Sequence, residues 1–209
     1  PAIVGKLDLL PTTNNYISLS VQKFEKNQDF SFEMFYNDVI DMIGGIYIDV
    51  NDDGIEEYQY SNYNNILFYG LNTHYNKKIG DNNFKLVYNY TNPDSDNERA
   101  LQLISKHSLR FNWLRSFVDQ KLDLSLNLKY SGEKFVILGS DKLVLDDYIL
   151  ADLIAIIKLN ENLQFKAGYK NLFDYTDERR FLDEGSDFLT TYDPGRRFII
   201  ELKFNFDSK

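Results

Sequence analysis

The sequence predicts an all-β, antiparallel, up-and-down fold, on three observations. Apolar and polar residues alternate with a period of two through nine segments, the pattern of strands that present one apolar face. The composition has 15 Tyr and 16 Phe among 209 residues with only four Pro, a usage that favours strands. The connections alternate between short and long, the layout of a meander whose turns differ at its two ends.

The elements follow in chain order. Ile17, Leu19 and Val21 alternate with Ser18, Ser20 and Gln22. Phe30, Phe32, Met34 and Tyr36 alternate with Ser31, Glu33 and Asn37 after the short connection Lys26-Asn27-Gln28. A less regular strand is expected over about 57–77. Phe84, Leu86, Tyr88 and Tyr90 then oppose Lys85, Val87, Asn89 and Thr91. Residues 98–105 have the makings of a short helical turn. Leu109, Phe111 and Trp113 oppose Arg110 and Asn112. Leu122, Leu124, Leu126, Leu128 and Tyr130 oppose Asp123, Ser125, Asn127 and Lys129. Ile149, Ala151, Leu153, Ala155 and Ile157 make a more apolar strand over about 147–159. Leu163, Phe165, Ala167 and Tyr169 form the eighth strand, and Phe198, Ile200, Leu202, Phe204 and Phe206 the ninth. Short connections are expected near 26–28, 78–82, 118–121 and 160–162. Long ones, rich in Asp, Asn, Ser and Gly, are expected near 51–57, 92–106, 139–146 and 175–192.

Composition excludes several classes. There is no Cys, so thiol chemistry, disulfides and Cys-based metal sites are absent. Lys and Arg total 23 against 32 Asp and Glu, a formal charge of -9 that argues against nucleic acid as a partner. No carboxylate pair, Ser-His cluster or phosphate-cradling Gly-rich loop points to an enzyme. The chain opens on Pro1 without a leader pattern, and is read as a mature product or a fragment.

Alternation alone fits a soluble sheet with a solvated charged face as well as a transmembrane barrel with a wet lumen. Three features favour the barrel. The strands commonly reach the roughly ten residues needed to cross a bilayer at a tilt. Tyr88, Tyr90, Tyr130 and Tyr169 sit near the ends of apolar rows, as in an aromatic girdle. The opposite rows carry Lys85, Arg110, Asp123, Lys129, Lys166, Lys170, Arg197, Glu201 and Lys203. Trp113 is then expected on the lipid side and His74 in the lumen.

The end of the chain resembles the end of a TonB-dependent outer-membrane receptor. The matching residues are Gly168-Tyr169-Lys170-Asn171-Leu172-Phe173-Asp174, then Asp193-Pro194-Gly195-Arg196-Arg197, then a last strand that closes on Phe206. In that family an Asn-Leu-Phe-Asp stretch ends the penultimate strand, and a Pro-Gly-Arg motif opens the last one. Leu10-Pro11-Thr12-Thr13-Asn14-Asn15-Tyr16 resembles the family's Leu-x-Pro-Glu-x-x-x-x-Tyr-Glu entry to a strand, without its acidic residues. Residues 36–43 resemble a family strand of the Tyr-Asn-Asp-Ile-x-Asp-x-Ile type.

The resemblance implies a barrel of about 22 strands around an N-terminal plug. Residues 1–209 are then its C-terminal part, about nine strands with short periplasmic turns and long outer loops, and the plug lies upstream. It implies a bacterial outer-membrane location among membrane lipid. It also implies uptake of a scarce ferric siderophore, haem or cobalamin type of ligand. The implied partners are that iron- or cobalt-chelate and a TonB-type energy-coupling complex, reached through the N-terminal part. A passive porin or a non-transporting binding barrel is the alternative.

Two candidate sites lie in long loops. Asp49, Asn51, Asp53 and Glu57, with the Ile55 carbonyl, read as Asp-x-Asn-x-Asp-Gly-x-x-Glu, the alternating oxygen ligands and sharp turn that suit Ca²⁺. The other reading is a solvated acidic turn that uses Asp53-Gly54 for its positive φ. Arg179, Arg180 and Asp183 in the last long loop are candidate ligand contacts, or solvated loop charges. His74 and His107 are weighed as haem ligands against structural roles.

Overall fold

The computed structural model describes residues 3–4, 8–48, 57–62, 65–138, 141–176 and 195–205. Its strands are β1 (Ile3–Val4), β2 (Thr13–Glu25), β3 (Gln28–Ile40), β4 (Ile43–Ile48), β5 (Glu57–Asn62), β6 (Ile66–Ile79), β7 (Asn82–Asp94), β8 (His107–Phe117), β9 (Leu122–Ser131), β10 (Lys134–Leu138), β11 (Asp141–Leu145), β12 (Tyr148–Lys158), β13 (Leu163–Lys170) and β14 (Arg197–Phe204). Nine of them form one antiparallel sheet in the order β14-β13-β12-β9-β8-β7-β6-β3-β2. Each expected strand has its counterpart in that sheet.

The sheet is a meander, and its turns separate by end. The connections at 26–27, 80–81, 118–121 and 159–162 are tight and lie at the inner end. Gly80 turns the second with φ +56°, and Lys121 closes a short 3₁₀ turn with φ 50°. Backbone bonds tie these turns to the neighbouring strand: Lys78 donates to Asn27, Ser116 to Asp81, Lys158 to Lys121 and Asn205 to Asn162, all at 2.8–3.1 Å. The long connections 41–65, 95–106, 132–147 and 171–196 all leave the opposite, outer end.

The outer connections hold more structure than the sequence suggests. The expected strand over 57–77 is two elements: β6 belongs to the main sheet, and β5 belongs to a small sheet ordered β1-β5-β4. Asn62 at the end of β5 ties it back, because its amide donates to Leu10 and Asp41 carbonyls at 2.8 Å and accepts from Leu10 N–H at 2.8 Å. The connection 132–147 contains the β10–β11 hairpin. The helical turn expected over 98–105 is a 3₁₀ turn, Glu98–Leu101, capped by Asn97. The two connections are clamped together. Ile137 N–H donates to Gln102 Oε1 at 2.8 Å, and Leu103 N–H to Phe135 O at 2.9 Å. Lys142 reaches Glu98 at 3.2 Å with its ammonium 4.1 Å from the Phe135 ring centroid. Alternation cannot reveal these short elements, because they are held by contacts between loops.

Register sorts the side chains into two faces. One face carries Phe84–Trp113–Leu126 in one cross-strand row and Tyr88–Leu109–Tyr130 in another. The other carries Lys85–Asn112–Asn127 and Asn89–Ser108–Ser131. Among the described residues nothing packs on the apolar face, where Leu86, Leu153, Ile200 and Leu202 are all exposed. Among the described residues, the buried apolar side chains are only Ile66, Ala100, Leu145 and Ala151. Ile66 and Ala100 pack with Met42, Phe68 and Leu101 in a small cluster beneath the outer connections. A water-soluble sheet must bury its apolar face, whereas a sheet in hydrocarbon leaves it outward.

Candidate functional site

The polar face is the inner wall. The nine charged residues expected to face inward, among them Lys85, Arg110, Asp123, Lys129 and Glu201, share this face by register. On β3 and β6 it is a hydrogen-bonded network. Glu33 accepts from Tyr16 Oη at 2.9 Å and from Asn72 Nδ2 at 3.0 Å. Asp29 accepts from Asn76 Nδ2 at 2.8 Å and lies 3.2 Å from His74 Nδ1. Ser20, Gln22, Glu33, Asn72, His74 and Asn89 line a shallow cavity of about 200 Å³ there. These side chains meet because period two places every second residue of adjacent strands on one surface, with directly opposed residues in contact. The arrangement gives a wetted wall of paired donors and acceptors. Among the described residues, no group of three or more His, Asp and Glu is placed to hold a metal.

From β7 to β14 the wall changes character. Near the inner end, cations pair with acids on the neighbouring strand: Lys158 with Asp123 at 3.0 Å and Lys166 with Glu201 at 2.9 Å. Nearer the outer end, Arg110 stands directly opposite Lys129.

At the outer end of β13 the chain forms a knot. Asn171 is fully buried and left-handed, with φ 51°. Its side chain closes a ring with Tyr175: Nδ2 donates to Tyr175 O at 2.8 Å, and Oδ1 accepts from Tyr175 N–H at 3.0 Å. Asn171 N–H donates to Asp152 Oδ1 at 3.0 Å, and Leu172 N–H to Ala151 O at 2.7 Å, which fastens the knot to β12. Asp174, also left-handed at φ 55°, accepts Arg196 N–H at 2.7 Å and so fixes the start of β14. Gly195 has φ +89°, and a Cβ there would come within 3.1 Å of Asp174 Oδ1. Tyr175 stacks on Tyr148 with centroids 4.6 Å apart. The Asn-Leu-Phe-Asp and Gly-Arg residues thus splice the last two strands across a long connection.

Comparison with known proteins places this architecture. Residues 3–206 match the model of the outer membrane protein beta-barrel family. The chain belongs to that family. Its location is the bacterial outer membrane, and the apolar face of the barrel-family sheet is the lipid face. No curated protein matches the chain by sequence. Among solved structures, the siderophore receptor PirA from Acinetobacter baumannii superposes with a TM-score of 0.75 over 98% of this chain and 33% of that one, at 20% identity. The copper transporter OprC gives 0.74 over 96% of this chain and 33% of that one, at 18% identity. The ferric enterobactin receptor PfeA from Pseudomonas aeruginosa gives 0.70 over 93% and 32%, at 20% identity. The chain therefore spans about a third of the structures it matches. The resemblance to the barrel of a TonB-dependent receptor is borne out at the level of fold.

In this outer-membrane sheet, Trp113 lies on the lipid face as expected, its Nε1 donating to Asn82 Oδ1 at 3.0 Å. His74 lies on the inner wall. His107 lies on the lipid face instead, 2.9 Å from Tyr88 Oη and 5.1 Å centroid to centroid from Tyr90. With Tyr130 and Tyr169 these residues mark the outer girdle. Asn171, Leu172, Phe173, Asp174, Gly195 and Arg196 are brought together in the knot. Pro194 and Phe206 lie outside the described residues. So do Arg179, Arg180 and Asp183, and Asp49, Asn51, Asp53 and Ile55 of the expected Ca²⁺ loop, of which Glu57 alone opens β5. Sequence reasoning missed the Asp29–Glu33 network. Its signal was available, since both share the parity of Ser31 between phenylalanines.

Proposed function

We propose that this chain is the C-terminal wall of an outer-membrane receptor that takes up a scarce metal chelate, of the ferric siderophore, haem or cobalamin type, by TonB-coupled active transport. The observation that carries this reading is the overlap of nearly the whole chain with a siderophore receptor barrel. The paired, polar inner wall supports it, because it suits a wet lumen through which a small chelate passes. The energy-coupling complex acts through the N-terminal plug that the family resemblance implies. Arg179, Arg180 and Asp183 sit in an outer connection, where a ligand arrives first, and are proposed to contact it.

The test is uptake of radiolabelled iron chelates by cells that carry the complete receptor as their sole high-affinity route. Uptake is expected to stop when the proton gradient is collapsed or TonB is deleted. Uptake that continues unchanged would make the barrel a passive porin and sink the reading.

The 49–57 loop is proposed to bind Ca²⁺ through Asp49, Asn51, Asp53, Glu57 and the Ile55 carbonyl. Millimolar Ca²⁺ is expected to slow proteolytic cleavage within this loop, and a chelator to restore it. Cleavage that ignores Ca²⁺ removes the site.

A further inference from the structure

The formal charge of -9 does not describe the inner wall. The outer connections 41–65, 95–106, 132–147 and 171–196 contain 19 of the 32 acidic residues but only 7 of the 23 basic ones. On the inward rows of β7–β14 the acids are Asp123, Asp152 and Glu201 alone, set among Lys and Arg. Asp123 and Glu201 are already paired, with Lys158 and Lys166.

Arg110 and Lys129 are different. They face each other across β8 and β9, in a row completed by Val87 and Leu150. Both are exposed to the lumen, and no carboxylate among the described residues lies within ion-pair distance of either. Like charges set directly opposite on a sheet repel. Their neighbours supply further donors: the Asn112–Asn127 pair lies next toward the inner end, and Ser108–Ser131 toward the outer end. Arg110, Asn112, Asn127, Lys129 and Asp152 line a cavity of about 190 Å³. Asp152 Oδ1 is occupied by the Asn171 N–H.

We infer that Arg110 and Lys129 form a subsite that holds an oxyanion group, carboxylate or phosphate, of the transported molecule. A planar guanidinium offers two parallel N–H groups to such an anion, and the ammonium adds a second charge. An anion between them turns mutual repulsion into two attractions. The acidic outer connections do not cancel this. Arg110 lies three residues inside the start of β8, about 10 Å at strand rise. Salt screens charges over about 8 Å under physiological conditions. The inference rests on the proposed transport function but reads out separately from it.

The experiment uses the complete receptor in detergent micelles at physiological ionic strength, where the outer acids are screened. Acetylation of Lys129 is followed by mass spectrometry, with citrate, pyrophosphate or neutral glycerol added. Citrate or pyrophosphate is expected to slow Lys129 acetylation several-fold while glycerol does not, and Lys203, which faces Gln164 rather than a cation, is expected to stay unchanged. Protection by citrate alone assigns a carboxylate, and protection by pyrophosphate alone a phosphate. Arg110→Gln is expected to abolish the protection and, by removing the repulsion, to raise the temperature at which the barrel loses its folded electrophoretic mobility. The inference is overturned if neither anion slows the reaction. It is equally overturned if Lys129 in the complete receptor is unreactive without added anion, because a group of the protein then fills the site. A lowered melting temperature for Arg110→Gln also overturns it, by making Arg110 a structural residue. Energised uptake without Lys129 protection would leave the transport reading intact, and the reverse result would leave the subsite intact.

Discussion

Gly70→Ala is expected to prevent the sheet from assembling. Gly70 on β6 lies opposite Thr91 on β7, and a Cβ built there would sit 1.9 Å from the Tyr90 carbonyl oxygen and 2.9 Å from its carbon. Both atoms are backbone, so no rotamer change relieves the overlap. The third neighbour, Phe35 Cε1 at 3.1 Å, blocks escape on the β3 side. The ladder between β6 and β7 must open, losing hydrogen bonds as well as packing, at a cost of more than about 3 kcal/mol. Gly80→Ala is the matched control. Gly80 has φ +56° and nothing within 4 Å of a built Cβ, so alanine there costs only the left-handed backbone, about 1–2 kcal/mol. Heat-modifiable mobility of the complete protein in outer membranes measures both variants. The Gly70 variant is expected to yield little folded band, and the Gly80 variant nearly the normal amount. Equal folded yields would refute the steric account.

Asn171→Ala is expected to have the next largest effect. Alanine leaves the N–H and C=O of Tyr175 without the partners that Asn171 supplies. It also puts a Cβ-bearing residue without a local hydrogen bond at φ 51°. Leaving such groups unpaired costs about 1–3 kcal/mol each, and the left-handed conformation about 1–2 kcal/mol more. The total is roughly 3 kcal/mol or above, allowing for partial rescue by water. Asn171→Gly keeps the conformation and loses only the side-chain bonds, so it is expected to fall between wild type and alanine in urea unfolding of the micelle-bound receptor. Wild-type unfolding for both variants would show that the knot does not hold β13 to β14.

The nine strands were legible because a strand at a lipid boundary has only one pattern available, and Leu122–Leu124–Leu126–Leu128 expresses it without interruption. Trp113 and His74 could be placed for the same reason, since parity alone decides their face. His107 shares the parity of Leu109, Phe111 and Trp113, and its pairing with Tyr90 puts it on their row, but the sequence does not show that β8 already begins at this residue. β4, β10 and β11 are invisible in the pattern, and β5 is not separable there from β6. These elements lie above the membrane, where neither face is uniformly apolar. The motif around Asn171 was legible as a resemblance, yet its physical work was not. A buried asparagine that holds its own loop by two backbone bonds looks, in sequence, like any turn residue. The like-charge facing of Arg110 and Lys129 needs the register of two strands, which spacing along the chain does not supply.

The clamp between residues 95–106 and the β10–β11 hairpin has a consequence for how fast a ligand can be caught. Segments fastened by Gln102, Phe135 and Lys142 lose little freedom when something lands on them. In the proposed receptor they would offer a fixed landing surface, with no folding step between collision and contact. Association at that side of the mouth is then limited by diffusion and orientation, and should vary with solvent viscosity more than with temperature.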